Sequence, residues 1–353
     1  MALYDAVADL ELVVDGYDLS FRERDTSSGF ARMTTVFELR GDGAVGRGED
    51  VTYEAEHHDA LAEDDPEFDL TGTYSFDEFS ELVGDLDLFP AGAPDRTEFR
   101  NYRRWGVESA ALDLALKQAD RSLAEVLDRT YDPVSFVAST RLGDPPTLDR
   151  IDALRDVDPN LQFKLDPTSD WTESIVEDLA ERGAVRILDL KGHYEGTEVD
   201  QEPDPELYDR LIEAFPEAVI EDPALTDETR PIVEEAGDRV SWDAPIHGLA
   251  DVENLPWEPE WLNIKPSRFG SVESLFETIE HAQKRGMTMY GGGQFELDVG
   301  RQHIQLLASL FYPDTPNDVA PRAYNDPDVG SELPTSPLAP PEDARGLEWR
   351  KDL

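Results

Sequence analysis

Val185-Arg186-Ile187-Leu188-Asp189-Leu190-Lys191 is a short apolar run that ends on an acid, with a lysine two residues on. Four to eight residues of this kind read as a buried strand. The pattern recurs downstream. Ala218-Val219-Ile220-Glu221 and Arg239-Val240-Ser241-Trp242 followed by Asp243 also end on carboxylates, and Trp261-Leu262-Asn263-Ile264 is followed by Lys265. Upstream, Leu161-Gln162-Phe163-Lys164 ends on a lysine. Further apolar runs are Ser135-Phe136-Val137-Ala138, Met287-Thr288-Met289-Tyr290 and Asp318-Val319-Ala320. Amphipathic helical stretches lie between most of them, at residues 173–181, 205–215 and 271–284. From Lys164 the run ends fall near 189, 221, 243, 265 and 290, steps of 25, 32, 22, 22 and 25 residues. Each step fits one strand and one helix, and eight such units close a (β/α) barrel. An open doubly wound sheet is the competitor, but no Gly-x-Gly-x-x-Gly follows an early strand.

Residues 1–130 read differently, as an α+β capping domain. Leu10-Glu11-Leu12-Val13-Val14 and the run from Met33 to Leu39 are strand-like, and Gly41-Asp42-Gly43 signals a turn. Residues 105–127 carry apolar side chains at helical spacing and read as one helix. The expected division is a cap over 1–130, a barrel over 131–325, and a tail over 326–353 rich in Pro and acids. That tail is expected to be extended on the surface or partly disordered.

The chain has 353 residues, long enough for a barrel and a second domain. Cysteine is absent, which excludes disulfides, thiolate metal sites and thiol catalysis. No apolar run approaches the roughly 20 residues that span a bilayer. The opening Met1-Ala2-Leu3-Tyr4-Asp5 lacks the basic start of a signal peptide, so a cytoplasmic protein is expected.

Asp and Glu number 79 against 31 Lys and Arg, a net charge of −48. Such a surface repels nucleic acid and anionic lipid, and neither is expected as a partner. The acids are spread along the whole chain, so the surface reads as halophilic: at molar salt the Debye length falls to ~3 Å and self-repulsion fades. Only six lysines are present: Lys117, Lys164, Lys191, Lys265, Lys284 and Lys351. Three of the six sit in or at the ends of barrel strands, where desolvating a charge is costly unless it is paired or used.

Function in such a barrel lies at the C-terminal strand ends. Asp189, Glu221 and Asp243 end three consecutive strands about 4.8 Å apart, so they can converge on one cation. All-oxygen donors favour Mg²⁺, with Mn²⁺ as the alternative, over Zn²⁺. Lys164 and Lys265 flank the acids. A lysine beside a dication can lose its proton and act as a base, and the metal can neutralise the charge formed when the carbon next to a substrate carboxylate is deprotonated.

The order Phe163-Lys164, Leu188-Asp189, Glu221-Asp222-Pro223, Trp242-Asp243 and Asn263-Ile264-Lys265, then a Gly-rich strand, resembles the muconate cycloisomerase branch of the enolase superfamily. The stretch Gly291-Gly292-Gly293-Gln294-Phe295-Glu296, continuing to Gly300-Arg301, is similar to that of o-succinylbenzoate synthases and dipeptide epimerases. Ser109-Ala110-Ala111-Leu112-Asp113 resembles the helix that leads into the barrel. The resemblance covers residues 100–325. It implies a capping domain over a TIM-type barrel, Mg²⁺ on Asp189, Glu221 and Asp243, and Lys164 and Lys265 as acid–base groups. The activity it implies is that of an epimerase, cycloisomerase or syn-dehydratase acting on a small-molecule carboxylate. A homo-oligomer is compatible with it. The loops near residues 26–30 and 51–58 are expected to set specificity.

Two positions depart from the pattern. Gln162-Phe163-Lys164 keeps one lysine where the family carries Lys-x-Lys, and Asp189-Leu190-Lys191 replaces Asp-x-Asn. Lys191 is therefore expected either to bind substrate or to pair with Asp166, and Glu296 either to bind substrate or to cap the Gly-rich loop. His193, His247 and His303 read as surface or packing residues. Mandelate-type relatives use a His at the seventh strand end, where this chain has Tyr290-Gly291. A Schiff-base aldolase-like barrel would need one of the two lysines but not the three acids. A catalytically silent barrel would need neither.

Overall fold

The computed structural model describes residues 2–64, 66–194, 196–197 and 199–349; Met1 and the tail residues 350–353, with Lys351, lie outside them. The first part carries two antiparallel sheets. In one, β1 (Glu11–Val14) pairs with β5 (Gly72–Ser75). In the other, β2 (Gly16–Asp25), β3 (Ala31–Gly41) and β4 (Ala44–Asp50) form a meander. Asp42 and Gly43, with φ of 47° and 75°, make the β3–β4 turn that the sequence signals. β2 has no counterpart among the strand-like runs of the sequence. Tyr17, Leu19 and Phe21 do alternate with polar residues there, but β2 is an edge strand with half-exposed side chains, and its apolar content is low.

Helices α1 (Asp5–Ala8), α2 (Ala55–Asp64) and α3 (Phe76–Asp85) pack around these sheets, and α4 (Phe99–Gln118) runs behind β4. The single helix expected over 105–127 is two. The first ends at Gln118; Asp120 takes φ 52°, and Ser122 opens α5 (Leu123–Val126) with a reciprocal capping box to Glu125. A serine placed three residues before a glutamate restarts the chain there, although the apolar periodicity runs through.

From residue 138 onward, seven parallel strands among the described residues form one curled sheet in sequence order. They are β6 (Ala138–Thr140), β7 (Phe163–Leu165), β8 (Val185–Asp189), β9 (Val219–Glu221), β10 (Val240–Trp242), β11 (Trp261–Ile264) and β12 (Thr288–Gly291). Helices α6 (Asp149–Val157), α7 (Glu173–Arg182), α8 (Pro205–Ala214), α9 (Thr229–Ala236), α10 (Leu249–Glu253), α11 (Pro266–Phe269), α12 (Val272–Arg285) and α13 (Val299–Phe311) cover its outside. The expected eighth strand at 318–320 is not a strand. It is a short extended segment that fills the gap: Asp318 N–H donates to Gly291 O at 2.8 Å, and Val137 N–H donates to Asn317 O at 2.8 Å. The Asn317 side-chain amide donates to the carbonyls of Tyr312 and Thr315, both at 3.0 Å, and so closes the turn that leads into this segment. The first barrel strand also begins three residues later than its apolar run, because Val134 and Phe136 are paired to Leu338 and Asn317 instead.

Leu338 N–H donates to Val134 O, Leu347 N–H to Asp113 Oδ1 at 2.8 Å, and Trp349 is buried. The described part of the tail is thus strapped along the base of the barrel and α4. Among the described residues, no helix is long and apolar enough to cross a membrane.

Candidate metal centre and active site

The strand ends deliver their polar side chains to one point. Asp189, Glu221 and Asp243 are each fully buried, and one oxygen from each lies within 4.8 Å of the others. Lys164, from the second barrel strand, sets its ammonium on Glu221 Oε1 and lies 3.1 Å from Asp189 Oδ2 and 3.8 Å from Asp318. Lys265, just past the sixth strand, is 2.8 Å from Asp243 Oδ2. Burial pulls the Lys164 ammonium down, but the carboxylates of Glu221 and Asp189 override it and hold its proton well above the ordinary lysine range. Burial likewise opposes ionisation of Asp189 and Asp243. The cations beside them, Lys191 and Lys164 for the first, Arg268 and Lys265 for the second, keep both below the usual carboxylate range.

Supporting contacts fix the acids. Glu221 Oε1 accepts from Asn263 Nδ2 at 3.3 Å, and its Oε2 accepts from the Tyr290 hydroxyl, which also meets Ser241 Oγ at 2.9 Å. Asp222 takes φ 49°, so its carboxylate turns to receive the backbone N–H groups of Asp243 and Ala244, both at 2.8 Å. Burial, with Asp243 and Asp189 nearby, pushes the Asp222 carboxyl up to about 7. Gly292 is where the Lys265 stem passes: a Cβ there would lie 2.8 Å from Lys265 Cε and 2.4 Å from Asn263 Oδ1. The Gly-rich exit therefore makes room for the Lys265 stem.

Lys191 and Glu296 both find partners within the protein. Lys191, with φ 54°, bends its ammonium back onto Asp189 and sits 3.6 Å from Asp166 Oδ1; Arg141 holds the other Asp166 oxygen at 3.1 Å. Glu296 accepts Gln294 N–H at 2.6 Å and pairs with Arg301 at 3.0 Å, so it does cap the loop. His193 packs on Trp242 and His303 is buried, while the backbone N–H of His247 donates to Asp251.

The cap reaches the same place. Phe30 packs edge-on against Phe295 at 5.3 Å, and Ser27 N–H donates to Asn325 O at 2.7 Å. Arg32, fully buried, donates from Nε to Gln294 O at 3.2 Å and lies 4.4 Å over the Tyr53 ring. The Tyr53 hydroxyl donates to Gln294 Oε1 at 2.8 Å. The sequence marks these two loops and places Gln294 in the Gly-rich stretch, but it does not mark Arg32, nor Tyr194 and Arg268, which meet Asp243 Oδ2 at 3.1 and 3.4 Å. Arg268 is signalled only by its place three residues after Lys265, one helical turn on. Tyr194 carries no sequence signal at all.

The donor set fits a hard dication. It consists of three carboxylates with no nitrogen or sulfur, and Asp243 Oδ1, although buried, has no hydrogen-bond partner among the described residues.

Two family models match the sequence: the C-terminal domain of a domain of unknown function (DUF8230) over residues 130–326, and the N-terminal domain of the same family over residues 5–126. No curated protein matches it. Solved structures of the enolase superfamily share its fold. An uncharacterised superfamily member from Enterococcus faecalis V583 superposes with a TM-score of 0.66 at 17% identity, covering 88% of this chain and 86% of that one. Muconate lactonizing enzyme from Pseudomonas putida gives 0.63 at 17%, covering 87% and 88%. A dipeptide epimerase from Methylococcus capsulatus, complexed with a Mg ion, gives 0.63 at 19%, covering 85% and 88%.

Proposed function

We propose, for a chain that belongs to the DUF8230 family and folds as the enolase superfamily does, a Mg²⁺-dependent enzyme that removes the proton next to the carboxylate of a small molecule. The observation that carries this reading is the pairing of three buried, converging carboxylates with a lysine on either side of them. Asp189, Glu221 and Asp243 would hold the ion. Bound there, Mg²⁺ supplies positive charge to balance the acids and the charge that develops on the substrate carboxylate. The amines of Lys164 and Lys265 stand on different acids and would address the substrate carbon from two sides, one taking the proton and the other returning it or steadying charge as a cation. Lys191, whose ammonium rests on Asp189 beside Asp166, would turn a remaining N–H donor to a polar group of the substrate. Residues 26–30, latched by Phe30 on Phe295, and Tyr53 on Gln294 would keep water from the amines. Such an apparatus would serve an epimerase, a cycloisomerase or a syn-dehydratase.

The experiment is α-proton exchange in D₂O over a panel of amino-acylated and dicarboxylic acids, with and without EDTA. Exchange that requires Mg²⁺ supports the reading. Exchange indifferent to EDTA, together with borohydride trapping of Lys164 or Lys265, would replace it with a Schiff-base enzyme.

A further inference from the structure

We propose that Tyr194 is a positioning residue that makes Asp243 a one-oxygen ligand and thereby favours Mg²⁺ over Ca²⁺; the inference rests on the metal reading above. The two oxygens of Asp243 are unequal. Oδ2 receives Lys265 Nζ at 2.8 Å, the Tyr194 hydroxyl at 3.1 Å and Arg268 Nη2 at 3.4 Å, whereas Oδ1 has no partner among the described residues. The direction of the Tyr194 bond is forced. Arg268 Nη2 also donates to the Tyr194 oxygen at 3.1 Å, and a guanidinium has no lone pair to accept with. The single phenolic proton must therefore point at Asp243.

Both donors are held rigidly. Arg268, buried, also donates to the carbonyls of Ala244 at 2.7 Å and Asp243 at 3.3 Å. Tyr194 comes from the loop after β8, which is pressed onto the exit of β9. There Gly192 N–H donates to Asp222 O at 2.8 Å, and a Cβ on Gly192 would lie 2.2 Å from Ala224 N. The Lys191 ammonium sits 5.0 Å above the Tyr194 ring and closes the loop from its other side.

A carboxylate with one oxygen committed to three donors offers a cation only the other oxygen. Two-oxygen ligation would require Oδ2 to turn away from Lys265, Tyr194 and Arg268 together. Mg²⁺ takes one oxygen from each carboxylate in a tight octahedron, while Ca²⁺ is larger and readily takes both. The clamp thus selects by denticity.

The test is calorimetric titration of the EDTA-treated full chain with MgCl₂ and with CaCl₂, comparing wild type with Tyr194→Phe. The expected result is a shift of about tenfold in the affinity ratio toward Ca²⁺, since groups that orient ligands act on metal affinity at this scale. A purely structural loss would weaken both ions together and leave the ratio unchanged; that outcome, with Mg²⁺ still bound, overturns the role given to Tyr194 and spares the metal site. Wild type that binds neither ion overturns the metal reading and this inference with it. Should Tyr194→Phe not fold, Arg268→Lys is titrated instead: it removes the fork that forces the phenolic proton onto Asp243, and an unchanged affinity ratio there overturns the clamp.

Discussion

The Lys265 ammonium stands 2.8 Å from Asp243 Oδ2, while Lys164 stands on Glu221 and Asp189. The two amines are thus divided between the acids instead of sharing one. A lysine lies beside each end of the carboxylate cluster, and each end can be perturbed alone.

Asp243→Asn keeps the shape of that side chain and removes its charge. Mg²⁺ affinity should fall by at least tenfold with the fold retained, as read by calorimetry and circular dichroism. Undiminished Mg²⁺ binding by the variant would remove Asp243 from the site.

Lys164→Ala and Lys265→Ala test the division of labour. If both amines exchange protons with the substrate, each variant should lose α-proton exchange from one stereoisomer only, followed by NMR in D₂O. Loss from both stereoisomers in one variant and none in the other would leave a one-base lyase as the better reading.

Glu49 ties the cap to the barrel. Its buried carboxylate accepts from Thr34 Oγ1 at 2.7 Å and from the N–H groups of Leu297, Asp298 and Gly300 at 2.7, 3.0 and 2.8 Å, where α13 begins. Glu49→Gln turns an NH₂ donor onto these donors and should cost about 1–3 kcal/mol in denaturant unfolding. A change within 0.3 kcal/mol or so would show that the capping bonds are dispensable.

His303 is buried, and that burial, with Lys117 nearby, pushes its imidazole down to about 3 from an ordinary 6.5. Between those values the unfolded chain binds a proton that the folded chain does not. Stability therefore rises with pH across this window and is lost as pH falls through it, by up to roughly 5 kcal/mol. His303→Leu should flatten that limb of the stability profile relative to wild type. An identical acid limb in the two proteins would place the proton uptake elsewhere.

With a net charge of −48, self-repulsion should dominate at low ionic strength. We propose a halophilic fold, with the melting temperature climbing steeply between 0.1 and about 2 M KCl as the Debye length shrinks from ~10 Å toward 3 Å or less. A flat salt response would refute it.

The sequence by itself determined the alternation of strands and helices, the place of the acids at the strand ends, and the pairing of Lys164 and Lys265 with them. These are local: apolar runs of strand length and the charged residue that terminates each can be read without neighbours. It determined the β3–β4 turn for the same reason. Tertiary structure decided the rest. The last barrel segment is shaped by Asn317, whose amide bonds Ser135 some 180 residues away. The helix break at Asp120 is the exception, since the Ser122–Glu125 capping box that sets it is local and only masked by the apolar periodicity. Lys191 had two readings in sequence, and only the left-handed turn at that residue put its ammonium on Asp189 with Asp166 beyond. Tyr194 and Arg268 come from different loops and meet at one oxygen of Asp243. Their roles depend on directions in space that residue type and spacing do not carry, since a hydrogen bond is set by the orientation of both partners and only the packed chain fixes both.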